Sequence, residues 1–205
     1  MSPGPQEAAV DGRTARRERN RDAVLDAAHE LFVEGQLLPG VEDVAARAGV
    51  SLRSVYRYFP DGRQLRLAAL ARRIAVAEPQ FILADVGEGP LEDRVDRFVA
   101  QRLTVYDVSA PTIRAAFAMA STVPEIGVQV QRRKRQLTEQ ARAHFAPELG
   151  QMPPDRAESV LVCVELLTQF ESMEVLRLER GLSRERAHAI LAAGVRTQLL
   201  GAPTA

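Results

Sequence analysis

Between about Arg16 and Phe59 the apolar positions recur every three or four residues in three successive blocks, each closed by a chain breaker. Val24, Ala28, Leu31 and Phe32 share one face of a first helix expected from about Arg16 to Glu34. Val41, Val44, Ala45 and Ala48 stand at i, i+3, i+4 and i+7, the narrow stripe of a short helix with one buried side. Gly40 opens that helix, Asp43 in its first turn complements the dipole, and Gly49 supplies the backbone freedom that ends it. Ser51 is then placed to cap a third helix. On its wheel Val55 and Phe59 lie together, Leu52 and Tyr58 flank them, and Arg53 and Arg57 point the other way. Two short helices joined by a tight turn and covered by a longer one make a helix-turn-helix.

Pro60-Asp61-Gly62 breaks the pattern, and a fourth helix is expected from Arg63 to about Ala77, with Leu65, Leu67, Ala69, Leu70 and Ile74 apolar and Pro79 ending or kinking it. Five more helical stretches follow: about Leu91 to Val108, Ala110 to Thr122, Pro124 to Phe145, Pro154 to Arg180 and Ser183 to Leu200. Pro111 and Pro124 suit first turns, Gly181 is a stop, and Ser183 is a cap. No strand alternation competes. The expected fold is therefore all-α, about nine helices: an N-terminal three-helix helix-turn-helix domain and a C-terminal helical bundle. Residues 1–12 lack periodicity and are expected to be disordered, residues 13–60 to form the first domain, and residues 61–205 the second, with 61–78 as a connecting helix.

The last two helices carry more apolar residues than one monomer core can take up. Val160, Leu161, Val162, Val164, Leu166, Leu167, Phe170, Val175, Leu176 and Leu178 surround much of the first of them. A second buried surface follows, and self-association would supply it. Leu167, Ala189 and Ala193 are the candidate interface residues, the small side chains of the last helix permitting close approach.

Composition narrows the class without naming a partner. The chain has 205 residues, 46% hydrophobic and 26% charged, with equal numbers of basic and acidic residues. Bulk charge thus gives no sign of nucleic-acid binding, and any basic surface has to be local. It is local here: Arg13, Arg16, Arg17, Arg19 and Arg21 lie just ahead of the helix-turn-helix against the single acid Glu18. The one cysteine, Cys163, excludes an internal disulfide and any multi-cysteine metal site. Neither a secretory signal nor an uninterrupted membrane-length apolar run is present, so a soluble cytoplasmic protein is expected. His29, His144 and His188 match no metal-ligand spacing. No catalytic residue, metal site or cofactor is expected.

The third helix carries the chemistry. Guanidinium groups four residues apart on an exposed face can enter one major groove, where bidentate hydrogen bonding to guanine is the commonest specific contact. Ser51, Ser54 and Tyr56 place hydroxyls where phosphates would fix the register. A plain reading, two solvated arginines on a helical hairpin, stays open on spacing alone.

The run "DVAARAGVSLRSVYRYFPDGRQL", preceded by "AAHELFVEG", resembles the DNA-binding domain of the tetracycline-repressor (TetR) family of bacterial transcriptional regulators. The marks are Phe32, Gly35, Ala48-Gly49-Val50-Ser51, Tyr56 with Phe59, and Leu65, and they cover about residues 20 to 70. Pro39-Gly40 stands where a threonine pair usually precedes the second helix, and Gly62-Arg63 where a lysine usually opens the fourth. The resemblance implies double-stranded operator DNA as partner, met by Ser51, Leu52, Arg53, Ser54, Tyr56, Arg57, Tyr58 and Arg63. It also implies a homodimer formed through the last two long helices. A small-molecule ligand, unidentified, would sit between helices of the second domain, where Phe98, Arg102, Tyr106, Phe117, Met119, Gln169, Phe170 and Met173 form a search list. The function implied is a repressor released from its operator by that ligand. The alternative is a helical small-molecule-binding or interaction protein in which Gly40 and Gly62 reflect weakened DNA binding.

Overall fold

A computed structural model of the chain describes residues 5–200, with the side chains of residues 15–200. Every regular element among them is helical: α1 Pro5–Val33, α2 Val41–Ala48, α3 Leu52–Tyr58, α4 Gly62–Ala77, a 3-10 turn Glu78–Phe81, α5 Leu91–Ala120, α6 Pro124–His144, α7 Ala146–Leu149, α8 Pro154–Thr168, α9 Phe170–Met173, a π segment Glu174–Glu179, and α10 Arg184–Leu200. Two compact units result, Met1–Val76 with Pro111–Pro124, and Ala77–Ala110 with Glu125–Ala205.

In the first unit most positions of the expected apolar faces are buried, while Val41, Ala48, Leu67 and Ile74 are half-buried. Val24, Ala28, Leu31 and Phe32 of α1 join Val44 and Ala45 of α2, Val55 and Phe59 at α3, and Leu65, Ala69 and Leu70 of α4. The first helix starts at Pro5 rather than near Arg16, taking in residues 5–12 of the segment expected to lack structure. Proline fits a first turn, and the Gln6-Glu7-Ala8-Ala9 run after it favours helix. Residues 1–4 of that segment lie outside the described residues. A domain boundary was expected before α4, yet α4 groups with the three helices ahead of it. Arg72 ties it to α1 by ion pairs to Asp22 and Asp26, and Arg66 reaches the Pro39 carbonyl at 3.3 Å.

The core of the second unit is built by Val95, Phe98, Val99, Leu103 and Tyr106 of α5, Ala141 and Phe145 at the end of α6, and Leu161 and Val164 of α8. Met173 and the inner face of α10, from Ala187 to Leu199, close it. Ser183 caps α10 as expected, its hydroxyl accepting from the Arg186 N–H at 3.2 Å.

Helix boundaries depart from expectation at two places. The stretches expected at Leu91 to Val108 and Ala110 to Thr122 are one helix, α5, which runs through Pro111. An interior proline costs about 3 kcal/mol by removing one hydrogen bond. Here Ser109, Ala110, Thr112 and Ala115 around it are all buried, and that burial offsets the loss. The single helix expected from Pro154 to Arg180 is instead interrupted at Gln169, whose backbone is extended. Thr168 turns its hydroxyl back to the Val164 carbonyl at 2.8 Å, and Ser172 takes the Leu166 carbonyl that a continuous helix would give to the Phe170 N–H. With the added turn α7, these changes give ten α-helices among the described residues rather than about nine.

A buried polar knot holds the start of α5 to the end of α6. His144 is fully buried, its Nδ1 accepting from the Gly87 N–H at 3.2 Å and its Nε2 donating to the Arg94 carbonyl at 3.0 Å. Those two bonds fix a neutral ring. Burial holds the His144 pKa below its ordinary value, the Arg94 carbonyl bond pulling the other way and the Arg97, Arg94 and Arg102 cations adding to the depression. The unfolded ring protonates near pH ~6.5 and the folded ring only at lower pH, so between the two the unfolded chain binds the extra proton. Stability from this group is complete above the unfolded value and is lost as pH falls toward the folded one. Melting temperature should accordingly drop from neutral to mildly acid buffer, and His144→Asn should flatten that acid limb; an equally steep limb in the variant would remove His144 as its source.

Candidate nucleic-acid interface

The turn between α2 and α3 is made by two local devices. Gly49 takes the left-handed conformation (φ 65°) and donates its N–H back to the last turn of α2, which ends that helix. Ser51 then caps α3, its Oγ accepting from the Ser54 N–H at 3.2 Å and lying 3.0 Å from the Ser54 hydroxyl. At the other end of α2, Asp43 accepts from the Gly40 N–H at 3.3 Å, so the glycine is capped by the side chain three residues on.

Burial of Val55 and Phe59 sets the rotation of α3 and leaves its other face to solvent. Ser51, Leu52, Arg53, Tyr56, Arg57 and Arg63 are exposed, and Ser54 and Tyr58 are half-buried. Every one of the sequence-derived candidates is thus at least partly open to solvent. Tyr56 is 52% exposed, so its ring is available to a partner rather than to the core. Arg53 has no hydrogen bond or ion pair among the described residues. Arg57 donates to the Tyr58 hydroxyl at 2.9 Å and lies 5.1 Å from that ring's centroid, contacts that aim it without neutralising it. No acidic residue occurs in α3. Among the described residues neither guanidinium is paired with a carboxylate.

One contributor escaped the wheel argument. Arg21 of α1 lies 5.4 Å from the centroid of the Phe59 ring, so the arginine run reaches the end of α3. Arg16, Arg17 and Arg19 of that run are exposed, while the side chain of Arg13 lies outside the described residues. By contrast, Arg47 of α2 is held by Glu34 at 2.7 Å and by Glu30 at 3.4 Å, which makes it a bracket between α1 and α2. Gly62 opens α4 with little space: a Cβ there would come 3.2 Å from Val41 Cγ2 and 3.1 Å from the Arg66 guanidinium. Asp61 caps that helix, accepting from the Gln64 N–H at 2.7 Å.

The residues named for a ligand site divide between the units. Phe98, Arg102, Tyr106, Gln169, Phe170 and Met173 belong to the second unit, whereas Phe117 and Met119 belong to the first. Within the second, Tyr106 and Phe170 have ring centroids 5.6 Å apart, and the Tyr106 hydroxyl donates to Glu174 at 2.6 Å. Phe98 and Met173 are core residues there. Among the candidates for self-association, Ala189 and Ala193 are exposed. Leu167 is half-buried and lies against Gly194 of its own chain, where an added Cβ would come 3.2 Å from Leu167 Cδ1. Leu166 (55% exposed) and Val162 on α8 and Ile190 on α10 are the larger exposed apolar groups of these two helices. A wheel of α8 alone could not choose between Leu166 and Leu167, because both neighbours are apolar.

Among the described residues no cluster of His, Cys, Asp and Glu has the makings of a metal site, and no helix is long and apolar enough to cross a membrane. Cys163 is half-buried and unpaired by disulfide.

Residues 24–69 match the family described as bacterial regulatory proteins, tetR family. The transcriptional repressor LfrR of Mycolicibacterium smegmatis, of helix-turn-helix type, is 38% identical over 88 residues, which are 42% of this chain and 46% of that protein. The chain thus spans about half the length of that curated relative. A tetR-family transcriptional regulator from Streptomyces coelicolor has the same fold, with a TM-score of 0.64 and 24% identity over 91% of this chain and 90% of its own.

Proposed function

We propose that this chain, whose residues 24–69 match the tetR family of bacterial regulatory proteins, is a transcriptional repressor of that family that leaves its operator when a small molecule binds. The exposed face of α3 carries this reading: Arg53 and Arg57 without a neutralising acid, Tyr56 beside them, and a rotation set by burial of Val55 and Phe59. An α-helix so presented fits the major groove, with the arginines toward base edges and Ser51, Ser54, Tyr56 and Arg63 toward phosphates. LfrR, a repressor by name, matches over about half its length and supports the same reading.

Two copies would present two such helices to two half-sites. The exposed apolar surface of α8 and α10, with Leu166, Ile190, Ala189 and Ala193, supports a homodimer that buries it in a four-helix bundle. The second unit would hold the ligand between its helices, and the chain would act in the cytoplasm by binding alone, without a catalytic centre or cofactor.

Binding to DNA upstream of the chain's own gene, followed as a function of salt, tests the reading directly. Arg53→Ala and Arg57→Ala should each cost about 1–3 kcal/mol at the operator and relax preference at particular base pairs. Tyr56→Phe should weaken all sequences nearly alike. Unchanged sequence preference in both arginine variants would remove those residues from direct readout, and salt-independent or absent binding would favour the small-molecule-binding alternative.

A further inference from the structure

Two arginines are buried in the second unit among the described residues, and they are treated differently. Arg94 meets the carboxylate of Glu148. Arg102, only 5% exposed, meets neutral acceptors alone: Nη1 donates to Gln101 Oε1 at 2.7 Å and to Gln140 Oε1 at 2.6 Å, and Nη2 donates to the Leu137 carbonyl at 3.1 Å. Its guanidinium lies 4.3 Å from the centroid of the Phe98 ring. No carboxylate among the described residues pairs with it. Burial pulls its pKa down to about 9, which still leaves the group charged at neutral pH. For packing alone, an apolar side chain of similar volume would cost less than a desolvated cation with no counter-charge.

The two glutamines that hold Arg102 also hold the 3-10 turn. Gln101 Nε2 donates to the Gln80 carbonyl and Gln140 Nε2 to the Phe81 carbonyl, each at 2.9 Å. Each amide therefore joins the cation on one side to the Glu78–Phe81 turn on the other, and that turn follows α4 directly in the chain. Along α5, Phe98, Arg102 and Tyr106 lie four residues apart on one face. Arg102 lies between Phe98 and Tyr106 in that row, and the Tyr106 hydroxyl is taken by Glu174, which leaves the guanidinium as the polar group and Tyr106 with Phe170 as the apolar surface to one side of it.

We infer that Arg102 is the anchor for the ligand of the regulator proposed above, and that this ligand is an amphipathic monocarboxylate whose body lies along Tyr106 and Phe170. The inference rests on that regulator reading for its consequence but not for its chemistry. A carboxylate matches the planar fork of a guanidinium and supplies the missing charge. In taking hydrogen bonds from Nη1 it displaces Gln101 and Gln140, and the turn after α4 loses two of its side-chain tethers. Anion binding and release of that turn are then one event.

Calorimetry on the full chain with phenylbutyrate and octanoate, against their primary amides and the matching amines, tests this. Each carboxylate should bind roughly ten- to a hundredfold more tightly than its amide, and the amine more weakly still. Arg102→Met should abolish the preference, and Arg102→Lys should retain part of it. Comparison among probes on the wild-type chain needs no variant, so a misfolded Arg102→Met leaves the inference exposed. Amides that bind as well as carboxylates, or carboxylates that do not bind, overturn it. Operator binding by the unliganded chain is measured in parallel: its absence defeats the regulator reading alone, while an absent carboxylate preference with intact operator binding defeats the anion site alone.

Discussion

Glu148→Ala should cost the second unit about 3–5 kcal/mol, because it strands a charge that the fold has fully desolvated. Arg94 is 3% exposed, and its guanidinium donates to both carboxylate oxygens of Glu148, to the His144 carbonyl at 2.9 Å and, through Nε, to the Gly89 carbonyl at 3.1 Å. Removing the carboxylate leaves two backbone acceptors for a buried cation. Replacing both residues, Arg94→Met with Glu148→Met, should cost far less than Glu148→Ala, since no charge then remains inside. Denaturant midpoints at constant m-value give the comparison. A loss below about 1 kcal/mol in Glu148→Ala would show that Arg94 is solvated in practice, in the range of a surface pair.

The second large effect belongs to the proposed dimer. Ala193→Glu and Leu166→Glu each change an exposed position, so the monomer has no buried partner to lose. At a symmetric interface the same change places two unpaired charges in one apolar surface, a cost of several kcal/mol per desolvated ion. Both variants should therefore sediment as folded monomers with circular dichroism unchanged. Operator affinity should collapse with them, because two half-sites require two recognition helices about 34 Å apart or a multiple of that. Leu167→Glu is a poorer test, since Leu167 already packs onto Gly194 and its loss would disturb the chain itself. Dimers that persist in Ala193→Glu and Leu166→Glu would place the contact on another surface.

The sequence by itself determined what depends on neighbours a few residues apart. Gly49 needs the left-handed turn, Ser51 offers an oxygen to the Ser54 N–H, and the spacing of Val55 and Phe59 sets which way Arg53 and Arg57 face; all of this is settled within one or two helical turns. Tertiary structure decided what depends on residues distant in the chain. Pro111 reads as a helix start, yet burial on both sides of it carries α5 through. Nothing at Gln169 reads as a break, yet the Ser172 hydroxyl takes the Leu166 carbonyl that would have continued the helix. Nothing local to Arg94 or Arg102, two arginines in the first half of one helix, tells which of them meets a counter-charge. Only the approach of Glu148 to one, and of Gln140 and the Leu137 carbonyl to the other, makes the first a neutralised strut and the second an unpaired buried charge. Whether a charge is compensated is set by distances across the fold, because the Coulomb term falls with separation and rises with desolvation, and neither is written in the order of residues.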